Sequence, residues 1–323
     1  MIFDKKNARF LSMLGHRGTF SIMMTELAEQ MEHLIVMTAD MGYLTGLEKF
    51  KKKYPEQFYN VGIAEQNMIG IASGLAKVGN IVFATTYANF ITMRSYEQIR
   101  LNLGYMKFNV KIVGTGAGLS MGMSGNSHYG LEDVALMRAI PNMMVVSPAD
   151  GIEIAKTLVA ATEYEGPMYI RLSGTLNQPI IYREDYKFEL GKAITLKEGR
   201  DITLIATGTM VYECLKAAEE LESQEISVRV INMHTIKPLD TEIIDEALKE
   251  TRLLVTVEEH SVIGGLSSAV AEYKSTKCTL VPQLKIGLPD QFGVVGEYKY
   301  LLEYYGLTAR QIAQKVKARY ELL

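Results

Sequence analysis

Tryptophan is absent from this 323-residue chain, cysteine occurs twice and proline only 8 times. Cys214 and Cys278 lie far apart, with no Cys-x-x-Cys pair and no Cys/His spacing around them. That excludes a disulfide scaffold and a zinc module, and it fits a reducing, cytoplasmic setting. No stretch approaches the ~18 uninterrupted apolar residues of a membrane span, and the opening MIFDKKNARF lacks the apolar core of a secretion signal. A strong charge of one sign is missing too: 34 Lys plus Arg face 37 Asp plus Glu, a net charge of −3. Without a basic field, neither nucleic acid nor an anionic membrane is an expected partner, and any phosphate recognition must be local.

The chain is 48% hydrophobic and 22% charged, within the globular range, and its length predicts two domains with real cores. Short apolar runs recur at 34–39, 80–85, 110–114, 142–148 and 168–174, separated by amphipathic stretches at 65–78, 89–103, 132–139 and 150–162, with another at 19–31 before the first run. Buried strands alternating with helices predict an α/β layer with a mainly parallel sheet. Residues 177–191, NQPIIYREDYKFELG, are polar and irregular and read as a linker. Strand runs then restart at 202–208, 227–233, 253–259 and 284–289, each followed by a helical stretch. The expected organisation is two α/β domains, 1–185 and 190–323. Thr308 followed by Gln311 has the form of a capping box opening the last helix.

Two segments suggest chemistry. Between Gly114 and Gly130 six glycines fall within seventeen residues, together with Ser124, Asn126, Ser127 and His128. The third glycine of a dinucleotide loop is missing, because position 119 is Leu, and no Walker sequence occurs. A glycine-rich stretch after a strand still lets backbone approach a ligand at the edge where open α/β sheets place their sites. The second segment is YNVGIAEQNMIGIASGLA, 59–76, in which Glu65 opens a helix and Gly70 and Gly74 make one smooth face. An acid in a first turn complements the helix dipole, and that alone accounts for Glu65.

GIAEQNM, then ATTYANFITMRSYEQIR, then GNSHYGLEDVALMRAIPNMMVVSPAD, and finally EEHSVIGGLSSAVAE at 258–272, resemble the transketolase and deoxyxylulose-phosphate synthase family in order and spacing. The resemblance spans almost the whole chain and implies a thiamine diphosphate pyrimidine-binding domain followed by the family's C-terminal domain. Full-length members carry a further domain with a Gly-Asp-Gly (GDG) motif and a following Asn that hold Mg²⁺ and the cofactor diphosphate. No GDG occurs here, and Ala149-Asp150-Gly151 belongs to the pyrimidine domain. The resemblance therefore implies the C-terminal subunit of a split transketolase, with thiamine diphosphate and Mg²⁺ completed by a separate N-terminal subunit. No metal ligand is expected in this chain. A self-dimer within a heterotetramer is the expected assembly.

The same resemblance supplies residue roles. Glu65 matches the glutamate that hydrogen-bonds the aminopyrimidine so that its amine can act as a base. Phe90 matches the aromatic that stacks on that ring, with Tyr87 a second aromatic contact. His128 matches a histidine that reaches the substrate and transfers a proton or stabilises oxyanion charge. Arg171 and Arg17 lie near positions where the family binds sugar phosphate, a task suited to a planar guanidinium. His260 is expected to shape a subunit interface, and Arg94, Glu97 and Arg100 to form an ion-pair row along one helix.

Ser124 stands where transketolases commonly have an acidic residue contacting a donor hydroxyl, and Tyr43 and Leu44 alter the region near Thr45. The implied reaction is transfer of a two-carbon ketol unit from a ketose to an aldehyde, on a sugar or sugar derivative that need not be a pentose phosphate intermediate. Two rival readings are the beta subunit of a 2-oxo acid dehydrogenase and a non-catalytic regulatory homologue. GIAEQNM favours transketolase over the first.

Overall fold

Residues 4–323 are described by the structure, a computed structural model; the first three residues of the expected 1–185 unit lie outside the described residues. The chain opens with α1 (Lys5–Ala28), whose N-cap Asp4 accepts from Asn7 N at 2.8 Å. Its helical path breaks at Gly15, φ 67°, where a Cβ would stand 2.5 Å from the Thr175 carbonyl oxygen. Only glycine meets both demands. There follow β1 (Leu34–Thr38), α2 (Glu48–Lys53), β2 (Phe58–Asn60), α3 (Glu65–Lys77) and β3 (Ile81–Tyr87). A helical stretch then runs through π-helical turns at Phe90–Arg94 and Ile99–Tyr105, with the short α4 (Tyr96–Gln98) between them. The expected helix at 89–103 is thus present, but wound mostly in the wider π register, which recurs at functional sites.

Next come β4 (Val110–Ala117), a 3-10 segment at Gly122–Ser127, α5 (Asp133–Ala139), β5 (Met144–Val146), α6 (Gly151–Glu163) and β6 (Met168–Ser173). The second half holds β7 (Ile194–Lys197), β8 (Ile202–Ala206), α7 (Met210–Glu222), β9 (Val228–Asn232), β10 (Thr235–Lys237), α8 (Thr241–Glu250), β11 (Leu253–Ser261), α9 (Leu266–Lys274), β12 (Gln283–Leu288), α10 (Tyr298–Tyr304) and α11 (Ala309–Tyr320).

The strands form two sheets, seven-stranded in the order β10-β5-β6-β4-β3-β1-β2 and five-stranded in the order β12-β11-β8-β9-β7. All pairs are parallel except β10 against β5 and β7 against β9. Helices cover both sheets, so the central strands β1, β4, β6 and β8 are buried along their length. This is the expected α/β architecture of two mainly parallel sheets. The apolar runs of the sequence all became strands, whereas the short β2, β7 and β10 carried too little apolar pattern to be read.

β10 lies beyond the linker, yet it extends the first sheet, so the second half reaches back across the first. The linker is anchored too. Asp150 Oδ2 accepts from Ile181 N and Tyr182 N, both at 2.8 Å, and Gln178 N donates to Ser12 O at 3.0 Å. Leu119, Tyr129 and Leu131 of the glycine-rich segment are buried in one apolar cluster with Leu204, Val230 and Val255 of the second sheet. The last helix starts at Thr308 as expected, but the capping box does not form. Thr308 Oγ1 donates to Gln311 Oε1 at 2.7 Å, Gln311 Nε2 donates to Glu303 O at 2.9 Å, and Ala309 N is satisfied by Glu213 Oε2 at 2.7 Å.

Candidate active site

The carboxyl edges of β1, β2, β3 and β4 lie side by side in the first sheet, so segments remote in sequence meet there. β2 leads through Gly62 into Glu65 at the start of α3; β3 ends at Tyr87 and turns into Phe90; β4 ends at Ala117 and opens into the glycine-rich loop with His128. Three of these side chains form one ring cluster. Tyr87 and Phe90 have centroids 5.5 Å apart, Phe90 and His128 5.4 Å, and Tyr87 and His128 5.9 Å, all tilted or edge-on. Tyr87 is buried, while Phe90 and His128 are half-buried.

Glu65 is buried to 6% exposure, and its charge is answered by Arg94, whose Nη1 donates to Glu65 Oε1 at 2.7 Å. The Arg94 guanidinium carbon also lies 3.8 Å from the Phe90 ring centroid, a stacked cation–π contact. The π turn places Phe90 and Arg94 on one face, and Gln66 Nε2 fixes the turn by donating to Arg94 O at 3.0 Å. The expected ion-pair row of Arg94, Glu97 and Arg100 is therefore corrected. Arg94 turns to Glu65, and Glu97 Oε2 accepts from Gln98 Nε2 at 3.1 Å. The contact of Arg94 with Glu65 and Phe90 is not legible in the motifs; its four-residue offset from Phe90 is the one signal of it in the sequence.

The loop carries Ser124 and His128 to the same edge. His128 Nδ1 lies 2.9 Å from Ser127 Oγ, and Asn89 Nδ2 donates to Ser127 O at 2.7 Å. Ser124 is exposed, and its carbonyl accepts from Ser127 Oγ at 3.3 Å. Arg17 is exposed beside the loop that follows β1, donating through Nη1 to Leu44 O at 3.1 Å, next to the exposed Tyr43. Thr45 is fully buried, with its hydroxyl donating to Met41 O at 2.8 Å.

Arg171 departs from its expected role. It is 2% exposed, and its Nε donates to the fully buried Asp133 Oδ2 at 2.8 Å, while Nη2 donates to Gly130 O at 3.0 Å and Glu259 O at 2.9 Å. Burial works against its charge, but Asp133 outweighs this and raises its pKa. Tyr169 Oη donates to the same Asp133 oxygen at 2.5 Å, and burial together with that carboxylate pushes the phenol well up. A guanidinium spent in this way joins the two halves of the chain and is not available to a sugar phosphate. His260 is also corrected: it is 1% exposed, with Nε2 3.8 Å from Asp133 Oδ1 and Nδ1 2.7 Å from Ser261 O, packed inside this chain against a residue of its first half.

Residues 13–178 match the transketolase pyrimidine-binding domain, and residues 191–312 match the transketolase C-terminal domain. A putative transketolase C-terminal section of Methanocaldococcus jannaschii is 44% identical over 304 residues, covering 94% of this chain and 95% of that protein. The 6-deoxy-6-sulfo-D-fructose transketolase subunit SqwH of Clostridium sp. is 40% identical over 308 residues, 95% of this chain and 94% of its own length. Among solved structures, one described as a split-gene transketolase, inactive beta4 tetramer, superposes with a TM-score of 0.84 at 42% identity, covering 94% of this chain and 97% of that one.

Proposed function

This chain belongs to the transketolase family, as its pyrimidine-binding and C-terminal domains, and we propose that it is the C-terminal subunit of a thiamine diphosphate-dependent transketolase. In this reading residues 1–185 are the pyrimidine-binding part and 190–323 the C-terminal part. A separate N-terminal subunit carrying a GDG motif holds the diphosphate and Mg²⁺. Two copies of each subunit form a cytoplasmic heterotetramer.

The meeting of Glu65, Phe90, Tyr87 and His128 at one strand edge carries the proposal. The place suits an aminopyrimidine, because a flat, nitrogen-rich group, the Arg94 guanidinium, already rests on Phe90 and bonds Glu65. Thiamine diphosphate would supply an electron sink for the carbanion left when a ketose is cleaved. Glu65 would hold the pyrimidine ring nitrogen and set the protonation of its exocyclic amine. Phe90 and Tyr87 would orient the ring, and His128 would donate to the oxygen of the reacting carbonyl. Ser124 and the exposed Tyr43 and Leu44 give this substrate edge little negative charge. A sugar derivative is then an acceptable donor, in line with a relative described as acting on 6-deoxy-6-sulfo-D-fructose. Arg17 is the guanidinium left to meet an acidic substituent.

Reconstituted with its N-terminal subunit, thiamine diphosphate and Mg²⁺, the chain is expected to transfer a ketol unit from ketose to aldehyde. Glu65→Ala should lower the rate by several orders of magnitude while leaving the complex assembled. Lipoyl acylation from a 2-oxo acid without ketol transfer would replace this reading with a dehydrogenase beta subunit. Equal activity of Glu65→Ala would make the chain a non-catalytic homologue. The chain by itself is expected to bind the cofactor weakly and turn over nothing, as the description of the split-gene structure as inactive also suggests; full activity of the single chain would overturn the split.

A further inference from the structure

The loop that carries His128 is rooted in the first sheet but held by the second half of the chain. Its neck closes where Gly118 N donates to Gly130 O at 2.9 Å. Glu259, at the end of β11 and 1% exposed, grips that neck. Its Oε1 accepts from Leu119 N at 2.6 Å, and its carbonyl shares the Arg171 guanidinium with the Gly130 carbonyl. The other carboxylate oxygen is anchored by Thr209 Oγ1 at 2.6 Å and Tyr298 Oη at 2.7 Å, both in the second half. Gly118 leaves no slack, since a Cβ there would stand 2.2 Å from Glu259 Oε1.

The outer part of the loop is held in the same way. Asn126 and Gly293 exchange two hydrogen bonds of 2.7 Å, side-chain amide to backbone, and the Tyr129 hydroxyl lies between two carbonyl acceptors, Gly122 O at 2.7 Å and Val294 O at 3.0 Å, with one proton shared between them. Ser261 N donates to Leu131 O at 2.9 Å just past the neck. From the first half, Asn89 contributes the contact to Ser127 O. His128 therefore sits between residues 126 and 129, each tied to the C-terminal domain, while its ring rests on Tyr87 and Phe90 of the pyrimidine-binding domain.

We propose that Glu259 is a positioning residue that makes the C-terminal domain the template for the His128 loop, so that this domain sets the substrate end of the site while Glu65 and Phe90 set the cofactor end. The inference rests on the transketolase reading for its catalytic consequence, but the holding of the loop does not. A buried carboxylate with every oxygen bonded holds its partners in one geometry, and losing it frees three donors at once. Glu259→Gln keeps an acceptor for Leu119 N, because the Thr209 and Tyr298 hydroxyls can rotate to accept from the new amide.

The test uses the complex assembled with the N-terminal subunit. In Glu259→Ala, amide exchange across 118–130 should speed up about tenfold or more, with α3 and β3 unchanged. KM for the ketose should rise by about tenfold, with thiamine diphosphate affinity, measured by calorimetry, within about twofold of the parent. Glu259→Gln should restore both readouts. Asn126→Ala, at an exposed position, gives the same direction with no loss of thermal stability and serves if Glu259→Ala does not fold. Unchanged exchange in the loop, or loss of cofactor affinity in step with ketose affinity, would overturn the proposal. A complex that shows the loop loosening but no ketol transfer in the parent would leave the template intact and remove the enzymatic reading.

Discussion

The Arg94 guanidinium spans Glu65 and Phe90, bonding the first at 2.7 Å and stacking on the second at 3.8 Å. Those are the two surfaces an aminopyrimidine would need in the proposed enzyme. Arg94 is 49% exposed, so its pairing with Glu65 is screened and worth roughly 1 kcal/mol, with a similar amount from the ring contact.

In the proposed enzyme, displacing it would be a cost that cofactor binding has to meet. Arg94→Gln should tighten thiamine diphosphate binding to the assembled complex by about tenfold, since the competent arrangement becomes the dominant one. Isothermal titration of the cofactor reads this directly. Weaker binding in Arg94→Gln would show instead that Arg94 grips the cofactor.

Arg171 gives a prediction about stability. Arg171→Met leaves Asp133 charged and buried without its partner, which should cost about 3–5 kcal/mol in urea unfolding. Asp133→Asn in the same background should recover part of the loss. A phosphate-binding arginine would behave in the opposite way, raising KM with stability intact.

Glu153 sets a pH dependence. It is buried at the start of α6, accepting from Ala149 N at 2.7 Å and from Asn232 Nδ2 at 2.8 Å and 3.0 Å. Burial raises its pKa from 4.5 to about 7 against the pull of those bonds. The folded chain thus holds a proton that the unfolded chain has lost between these values, so this contribution is complete below pH 4.5 and disappears as pH rises through about 7. A shift of that size corresponds to on the order of 3 kcal/mol. Buried His16 and His234, lowered to about 3 and about 4, push stability the other way over the acid part of the range. The quantity to measure is therefore the difference in Tm between parent and Glu153→Gln. The parent should lose its advantage between pH 4.5 and about 7, the window set by the shift itself, and a pH-independent difference would refute the assignment.

Gly118 tests the loop neck from its other side. Gly118→Ala meets a φ of +68° and the Glu259 carboxylate together. It should destabilise the fold by about 2 kcal/mol or more and loosen residues 118–130 in hydrogen exchange.

Local pattern made the architecture legible in the sequence. Runs such as LIVMT at 34–38 and ITLIA at 202–206 are apolar on both faces, which suits only a strand covered by helices on each side, and their alternation with helices implied parallel sheets. The ordered motifs around Glu65, Phe90 and His128 identified the family for the same reason, because each motif is contiguous. What a charged or polar side chain pairs with is not a local property. Arg171 looked like a phosphate ligand until Asp133, thirty-eight residues away, enclosed it; Arg94 looked like part of a surface row until a π turn faced it to Glu65. Glu259 carried no signal at all, since its partner Leu119 lies 140 residues earlier in the chain. Burial and hydrogen-bond satisfaction are decided when separate elements pack, so the strands and motifs were determined by the sequence alone, while the roles of the buried charges were decided only by the tertiary structure.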